Sequence, residues 1–161
     1  MLCASAVSDV GRVRKTNEDA FVADLGVPLF CVADGMGGHD AGEVAAALAI
    51  ESITAFIRRS SHDPDFSWPY GIDRQLSYDA NRLRTAVQLA NRRIFHAAER
   101  NHEYNGMGTT TVGALVSGGR MSVAHVGDSR LYLIRAGAIH LPPREAWERH
   151  ALARVLPEGW T

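Results

Sequence analysis

Cysteine is scarce in this chain: of 161 residues only Cys3 and Cys31 carry a thiol, one near the start and one inside an apolar run. That pair makes neither a disulfide framework nor a zinc-ligand spacing, and it fits a reducing, cytoplasmic compartment. Basic charge is not in excess either. Lys and Arg number 17 against 18 Asp and Glu, for a formal charge of −1, so no overall positive field draws in nucleic acid or an anionic membrane. The N-terminus lacks the basic and apolar regions of a signal peptide, and no uncharged stretch approaches the roughly 18 apolar residues of a membrane span. A soluble protein with no nucleic-acid or membrane partner is expected. Internal repeats and low-complexity tracts are missing, as is the G-x-S-x-G elbow of a serine nucleophile. What is present is a 46% share of hydrophobic residues, enough for one domain with a core and too short a chain for two.

The central stretch is Phe30-Cys31-Val32-Ala33-Asp34-Gly35-Met36-Gly37-Gly38-His39. Residues 29–33 form an apolar run that reads as a buried strand, ending in a carboxylate and then in backbone almost free of side chains. A strand end is a rigid mount for Asp34, and Gly35, Gly37 and Gly38 allow positive φ and close approach of a ligand. In isolation such a stretch is more often an ordinary tight turn capped by an aspartate. Upstream, residues 4–13 and 20–23 read as two strands around the polar cluster Arg14-Lys15-Thr16-Asn17-Glu18-Asp19. By charge alone that cluster is a solvated loop. Its order, an arginine four residues ahead of an adjacent Glu-Asp pair, offers a phosphate fork at one end and metal-facing oxygens at the other.

Downstream, Ala46, Ile50, Ile53 and Ile57 recur at helical spacing across residues 42–59, and Leu83, Ala86, Val87, Ala90 and Ile94 mark a second helix that ends near Arg100, with an arginine-rich solvated face. Between them lies a loop anchored by Trp68 and Tyr70, with Asp79 as the N-cap. Three strands in hairpin order are expected at 109–116, 121–126 and 131–135, joined by Gly118-Gly119 and by Gly127-Asp128-Ser129-Arg130. A short strand follows to Leu141, Pro142-Pro143 stops it, and residues 145–156 have the spacing of a last short helix.

Ala124-His125-Val126 runs toward Asp128 much as Val32-Ala33 runs into Asp34. The candidate site is therefore Arg14, Glu18, Asp19, Asp34 with the Gly35 carbonyl, Thr109 and Asp128. An all-oxygen set suits magnesium or manganese and not zinc. Two such ions about 3.5–4 Å apart clamp a phosphate and activate water for in-line attack. Asp34 is the natural bridging ligand, and Arg14 is placed to hold phosphoryl oxygens bidentately.

Four motifs in order, Val13-Arg14-x-x-Asn17-Glu18-Asp19-Ala20, Val32-Ala33-Asp34-Gly35-Met36-Gly37-Gly38-His39, Met107-Gly108-Thr109-Thr110 and His125-Val126-Gly127-Asp128-Ser129-Arg130, resemble the bacterial branch of the metal-dependent PPM-type (type 2C) protein serine/threonine phosphatases. The resemblance runs from about residue 5 to 141. It implies an α+β fold, a four-layer α-β-β-α sandwich of two antiparallel sheets flanked by helices and incomplete at its C-terminus, with residues 1–141 as the N-terminal part of the phosphatase domain and 142–161 as a divergent tail. It implies that Asp34 bridges two Mn or Mg ions, that the Gly35 carbonyl binds one, that Glu18 and Asp19 act through water, that Asp128 serves a third site near a flap, and that Arg14 holds the substrate phosphate. Phosphorylated proteins are the implied partners, with a serine/threonine kinase and its substrates among them.

The departures concern the acid and the later ligands. Met36 stands where animal members carry a histidine proposed as general acid, a replacement common in bacterial members, and His39 fits a structural or supporting part. Family members continue with a flap, a strand ending in Asp-Gly and an Asp-Asn pair, whereas no aspartate follows Asp128 here. Weakened metal binding is expected, and with it two readings: a truncated phosphatase domain, or a catalytically inactive remnant that binds phosphoproteins or another partner. Missing strands would leave unpaired edges, exposed core and marginal stability. A dinucleotide site is disfavoured, because Asp40 stands where that fingerprint needs its last glycine and no Gly-Lys-Ser/Thr follows.

Overall fold

The computed structural model describes residues 2–38, 41–63 and 66–141. Among the described residues, seven strands and two long helices follow one another as β1 (Asp19–Asp24), β2 (Leu29–Met36), α1 (Ala41–His62), α2 (Tyr78–Arg100), β3 (Gly108–Thr109), β4 (Thr111–Ser117), β5 (Arg120–Val126), β6 (Leu133–Arg135) and β7 (Ala138–His140), with a 3-10 turn at His102–Tyr104. The main sheet is antiparallel with the order β1-β2-β4-β5, and β3 adds to the end of β2. β6 and β7 pair only with each other. The class is α+β with antiparallel sheets, as the resemblance implies. The described residues supply one helical layer, one large sheet and a separate two-stranded sheet, an incomplete version of the four-layer arrangement.

β2 is half-buried and not sunk on both faces. Its burial alternates, with Leu29, Cys31, Ala33 and Gly35 turned toward the helices and Val32, Asp34 and Met36 turned away. That period of two is what a strand with a single covered face produces. The helices cover one face only: α1 packs on β1 and β2, and α2 on β4, β5 and α1. Alanines at 45, 46 and 49, with Ile53, Phe56 and Ile57, make the buried stripe of α1, and Leu83, Ala86, Val87 and Ala90 that of α2. Small side chains near the start of α1 let it lie close to the strand end that carries Asp34.

α2 is capped by Ser77, whose Oγ accepts a hydrogen bond from the Ala80 amide at 3.1 Å. Asp79, the expected cap, sits inside the first turn and pairs with Arg82 at 2.8 Å, so its carboxylate is drawn toward a side chain and away from the helix amides. Arg82 itself departs from the solvated arginine face: it is 6% exposed, donates to the Ile57 carbonyl at 2.7 Å and Ser60 Oγ at 2.9 Å, and bonds Ser61 Oγ. These bonds tie the last turns of α1 to α2 through the Ile57 carbonyl, which also accepts from the Ser60 and Ser61 hydroxyls. Trp68 anchors the interhelical loop edge-on to Phe56 and Tyr78, at 6.3 and 5.4 Å.

Two strand expectations are corrected. Residues 4–13 form no strand; Val7 and Val13 are 90% exposed, and β1 has its ladder partner in β2. The connection at Gly127-Asp128-Ser129-Arg130 is no hairpin, because β5 ends at Val126 and the next strand joins the other sheet. The Gly118-Gly119 hairpin is as expected, with φ of 55° and 74°, the left-handed pair that a tight two-residue turn demands. The expected helix at 145–156, the Pro142-Pro143 stop and the 142–161 tail lie outside the described residues, as does His39.

Candidate functional site

Topology brings the start of β1, the end of β2, β3 and the end of β5 to one end of the sheet. Asp34 lies directly across from Asp19 in the β1–β2 ladder, and both side chains face away from the helices. Partial burial first, then the charges of Asp19 and Asp128, push the Asp34 carboxyl above the usual carboxylate range, with Arg14 pulling the other way. Arg14, Asp19, Asp34 and Asp128 thus share one electrostatic neighbourhood although up to 114 positions of sequence separate them (128 − 14). Among the described residues no three His, Cys, Asp or Glu side chains come close enough to hold a metal ion by themselves.

Glu18 enters the site through packing and its backbone. Its carbonyl accepts from the Gly35 amide at 3.0 Å, and its carboxyl group lies against Gly42, where an added Cβ would meet Glu18 Cδ at 2.8 Å. Gly35 has even less room: a Cβ there would meet the Gly42 carbonyl oxygen at 2.0 Å and the Glu18 carbonyl oxygen at 2.7 Å. This corrects the expectation about the glycines. None of Gly35, Gly37 and Gly38 has positive φ; Gly35 and Gly42 are bare so that the strand end, the start of α1 and the Glu18 segment can touch.

Hydroxyls and an amide side chain, none of them given a role by sequence pattern beyond Thr109, hold the carboxylates. Asn17 Oδ1 accepts from the Asp19 amide at 3.0 Å, its Nδ2 donates to Ser8 Oγ at 2.7 Å, and Ser8 Oγ donates to Asp19 Oδ2 at 3.1 Å. The Thr109 hydroxyl donates to the Asp34 carbonyl at 3.0 Å. Thr110 Oγ1 accepts from the Asp34 amide at 3.2 Å and lies 2.6 Å from Ser129 Oγ. A short polar side chain that bonds its neighbours leaves no periodic signal in a sequence, so pattern alone does not reveal these roles. Cys31 is excluded as a nucleophile, since burial pushes its thiol up to about 12 and a neutral thiol does not attack.

An α+β domain with a one-sided helical layer and an arginine and three aspartates at one sheet end is the class that the geometry defines. The chain belongs to the protein phosphatase 2C family, whose model matches residues 12–151. It is 40% identical over 135 residues to the serine/threonine protein phosphatase PstP of Mycobacterium tuberculosis, covering 84% of this chain and 23% of that protein. It is 33% identical over 159 residues to the serine/threonine phosphatase Stp of Listeria monocytogenes, covering 92% and 55%. The crystal structure of M. tuberculosis PstP superposes with a TM-score of 0.69 at 37% identity, covering 86% of this chain and 52% of that one. A second structure, the PstP catalytic domain in complex with two manganese ions, gives 0.68 at 37% identity, covering 86% and 54%. The chain therefore spans about half of these solved relatives.

Proposed function

We propose that the chain is the phosphate- and cation-binding part of a protein serine/threonine phosphatase, acting in the cytoplasm on phosphoserine and phosphothreonine in proteins and opposing a serine/threonine kinase. The observation that carries this is the placement of Asp34 directly across from Asp19 at one sheet end, with Asp128 and Arg14 in the same electrostatic neighbourhood. Like-charged carboxylates gathered at a strand end are unfavourable for the fold alone, and a hard cation relieves them. The oxygen-only donors, with no three-residue cluster among the described residues, fit an ion that keeps much of its hydration, as Mg2+ and Mn2+ do at sites of one or two carboxylates. No helix among the described residues is long and apolar enough to cross a membrane.

In this proposal Asp34 and the Gly35 carbonyl hold the ions, Asp128 contributes to a further one, and Glu18 and Asp19 act through water. When bound, Mn2+ or Mg2+ supplies Lewis acidity toward phosphoryl oxygen and lowers the pKa of the attacking water. Arg14 clamps the phosphoryl oxygens and offsets the charge that grows on them in the transition state. Thr109 and Thr110 fix the Asp34 backbone so that its carboxylate does not swing with substrate. The test is manganese-dependent release of phosphate from a phosphothreonine peptide: wild-type chain turns over, Asp34→Asn does not, and Arg14→Ala loses about 100-fold.

A second reading, an inactive module that binds phosphoproteins, is supported by the finding that no three His, Cys, Asp or Glu side chains among the described residues come close enough to hold a metal ion by themselves. It expects no turnover in the wild-type chain but phosphopeptide binding that Arg14→Ala abolishes. Turnover that Asp34→Asn leaves intact sinks the first reading.

A further inference from the structure

The end of strand β2 carries Asp34, the loop after β5 carries Asp128, and one residue touches both. Thr110 lies between β3 and β4. Its amide donates to the Asp34 carbonyl at 2.9 Å and its Oγ1 accepts from the Asp34 amide at 3.2 Å, so Asp34 is gripped on both sides of its Cα. With that lone pair engaged, the Thr110 hydroxyl proton is available to Ser129 Oγ, 2.6 Å away. The Ser129 carbonyl in turn accepts from His125 Nε2 at 2.7 Å.

On the other side of Asp128, Gly127 has φ of +93°, and a Cβ there would meet Thr110 Cγ2 at 2.7 Å. Thr110 therefore packs on the residue before Asp128 and bonds the residue after it, while holding Asp34 by its backbone. We infer that Thr110, through its hydroxyl bridge to Ser129, is a positioning residue that sets the separation of the Asp34 and Asp128 carboxylates. The inference rests on the proposed function for what the separation serves, and on geometry alone for the bridge.

A gap between two carboxylates matters for a hydrated divalent cation because neither alone holds it well, and a loop free to drift dilutes their combined effect. β5 ends at Val126, so no ladder bond fixes the Asp128 loop; the Thr110–Ser129 and His125–Ser129 bonds take that place. Thr110→Val keeps the shape and removes the bridge, Ser129→Ala removes it from the other side, and Thr110→Ser keeps it.

The full chain and these variants are compared without metal by amide hydrogen exchange and with metal by manganese titration followed by electron paramagnetic resonance. Expected without metal is at least tenfold faster exchange at residues 127–130 in Thr110→Val and Ser129→Ala, with Thr110→Ser matching wild type. Expected with metal is about tenfold weaker manganese binding in the same two variants, the lower end of what supporting partners of ligands contribute, again restored in Thr110→Ser. Unchanged exchange at 127–130 in both bridge-deleting variants overturns the inference. Equal manganese affinity in all variants overturns the positioning role while leaving the phosphatase reading standing. A wild-type chain that takes up no manganese overturns that reading instead, and the exchange comparison still decides the bridge.

Discussion

Asp34 is held where the fold alone would not want it. Its raised carboxyl means that the folded state binds a proton more tightly than the unfolded one. The contribution to stability is then present below the unfolded pKa and is lost as pH rises through the folded pKa. In metal-free buffer Asp34→Asn is therefore expected to stabilise the chain at neutral pH, by no more than about 0.5 kcal/mol given the solvent access, and to give no gain near pH 3. Urea unfolding at both pH values measures it, and a loss of stability at neutral pH would contradict the crowding of Asp34. Gly35 makes the second residue-scale prediction. Gly35→Ala forces a Cβ to within 2.0 Å of the Gly42 carbonyl oxygen and is expected to cost about 3 kcal/mol. Gly38→Ala, with nothing within 4 Å, is expected to stay within about 0.5 kcal/mol. Denaturant midpoints of the two variants decide it, and equal effects would refute the close approach of α1. At this scale the sequence singles out Arg14, Asp19, Asp34 and Asp128, which the fold brings into one electrostatic neighbourhood. It misled on Gly35, since a glycine demanded by a neighbour's backbone looks the same in sequence as one demanded by φ.

At the scale of elements, periodicity was the reliable guide. Both helices are where the isoleucine and alanine spacing puts them, because a buried stripe repeats whatever the tertiary partner is. The cap of α2 was misread because Ser77 and Asp79 are both good capping types, and only the fold reveals that Arg82 claims Asp79. Ser77→Ala is expected to cost about 1 kcal/mol. Arg82→Met is expected to cost roughly 2 to 3 kcal/mol, since it removes the buried donor to Ser60 Oγ and the Ile57 carbonyl and the charged partner of Asp79. Thermal unfolding ranks the two, and an Arg82→Met chain as stable as wild type would mean that the serine hydroxyls and water serve the Ile57 carbonyl equally well. The misread strand at residues 4–13 failed for the opposite reason to the helices: a strand exists only if a neighbour pairs with it, and no local pattern states whether one does.

For the molecule as a whole, the sheet has two faces of unequal fate. Leu29, Cys31, Leu115 and Ala124 lie under the helices. On the opposite face Phe21, Val32 and Met121 are 44%, 48% and 44% exposed, and the β1–β2 and β2–β4 ladders place Phe21, Val32 and Val112 in one row. The β6–β7 pair adds Ile134 and Ile139, also exposed and directly opposite each other. A two-stranded sheet that buries nothing is marginal in water, and a contiguous apolar sheet face favours association. Along residues 29–33 the sequence is an unbroken apolar run that reads simply as a buried strand, because apolar residues occupy both faces and hide the alternation that burial reveals. The 161-residue chain in isolation is expected to associate as concentration rises. Replacing Val32 with Thr and Met121 with Lys is expected to shift it toward monomer without loss of helix signal, since β-branching at 32 is kept and the charge at 121 sits near the strand end. Sedimentation velocity across a concentration series, with circular dichroism as the control, measures both effects. A wild-type chain that stays monomeric throughout would show that this face is satisfied in solution by the chain itself, whereas association that persists in the double variant would move the contact to β6 and β7.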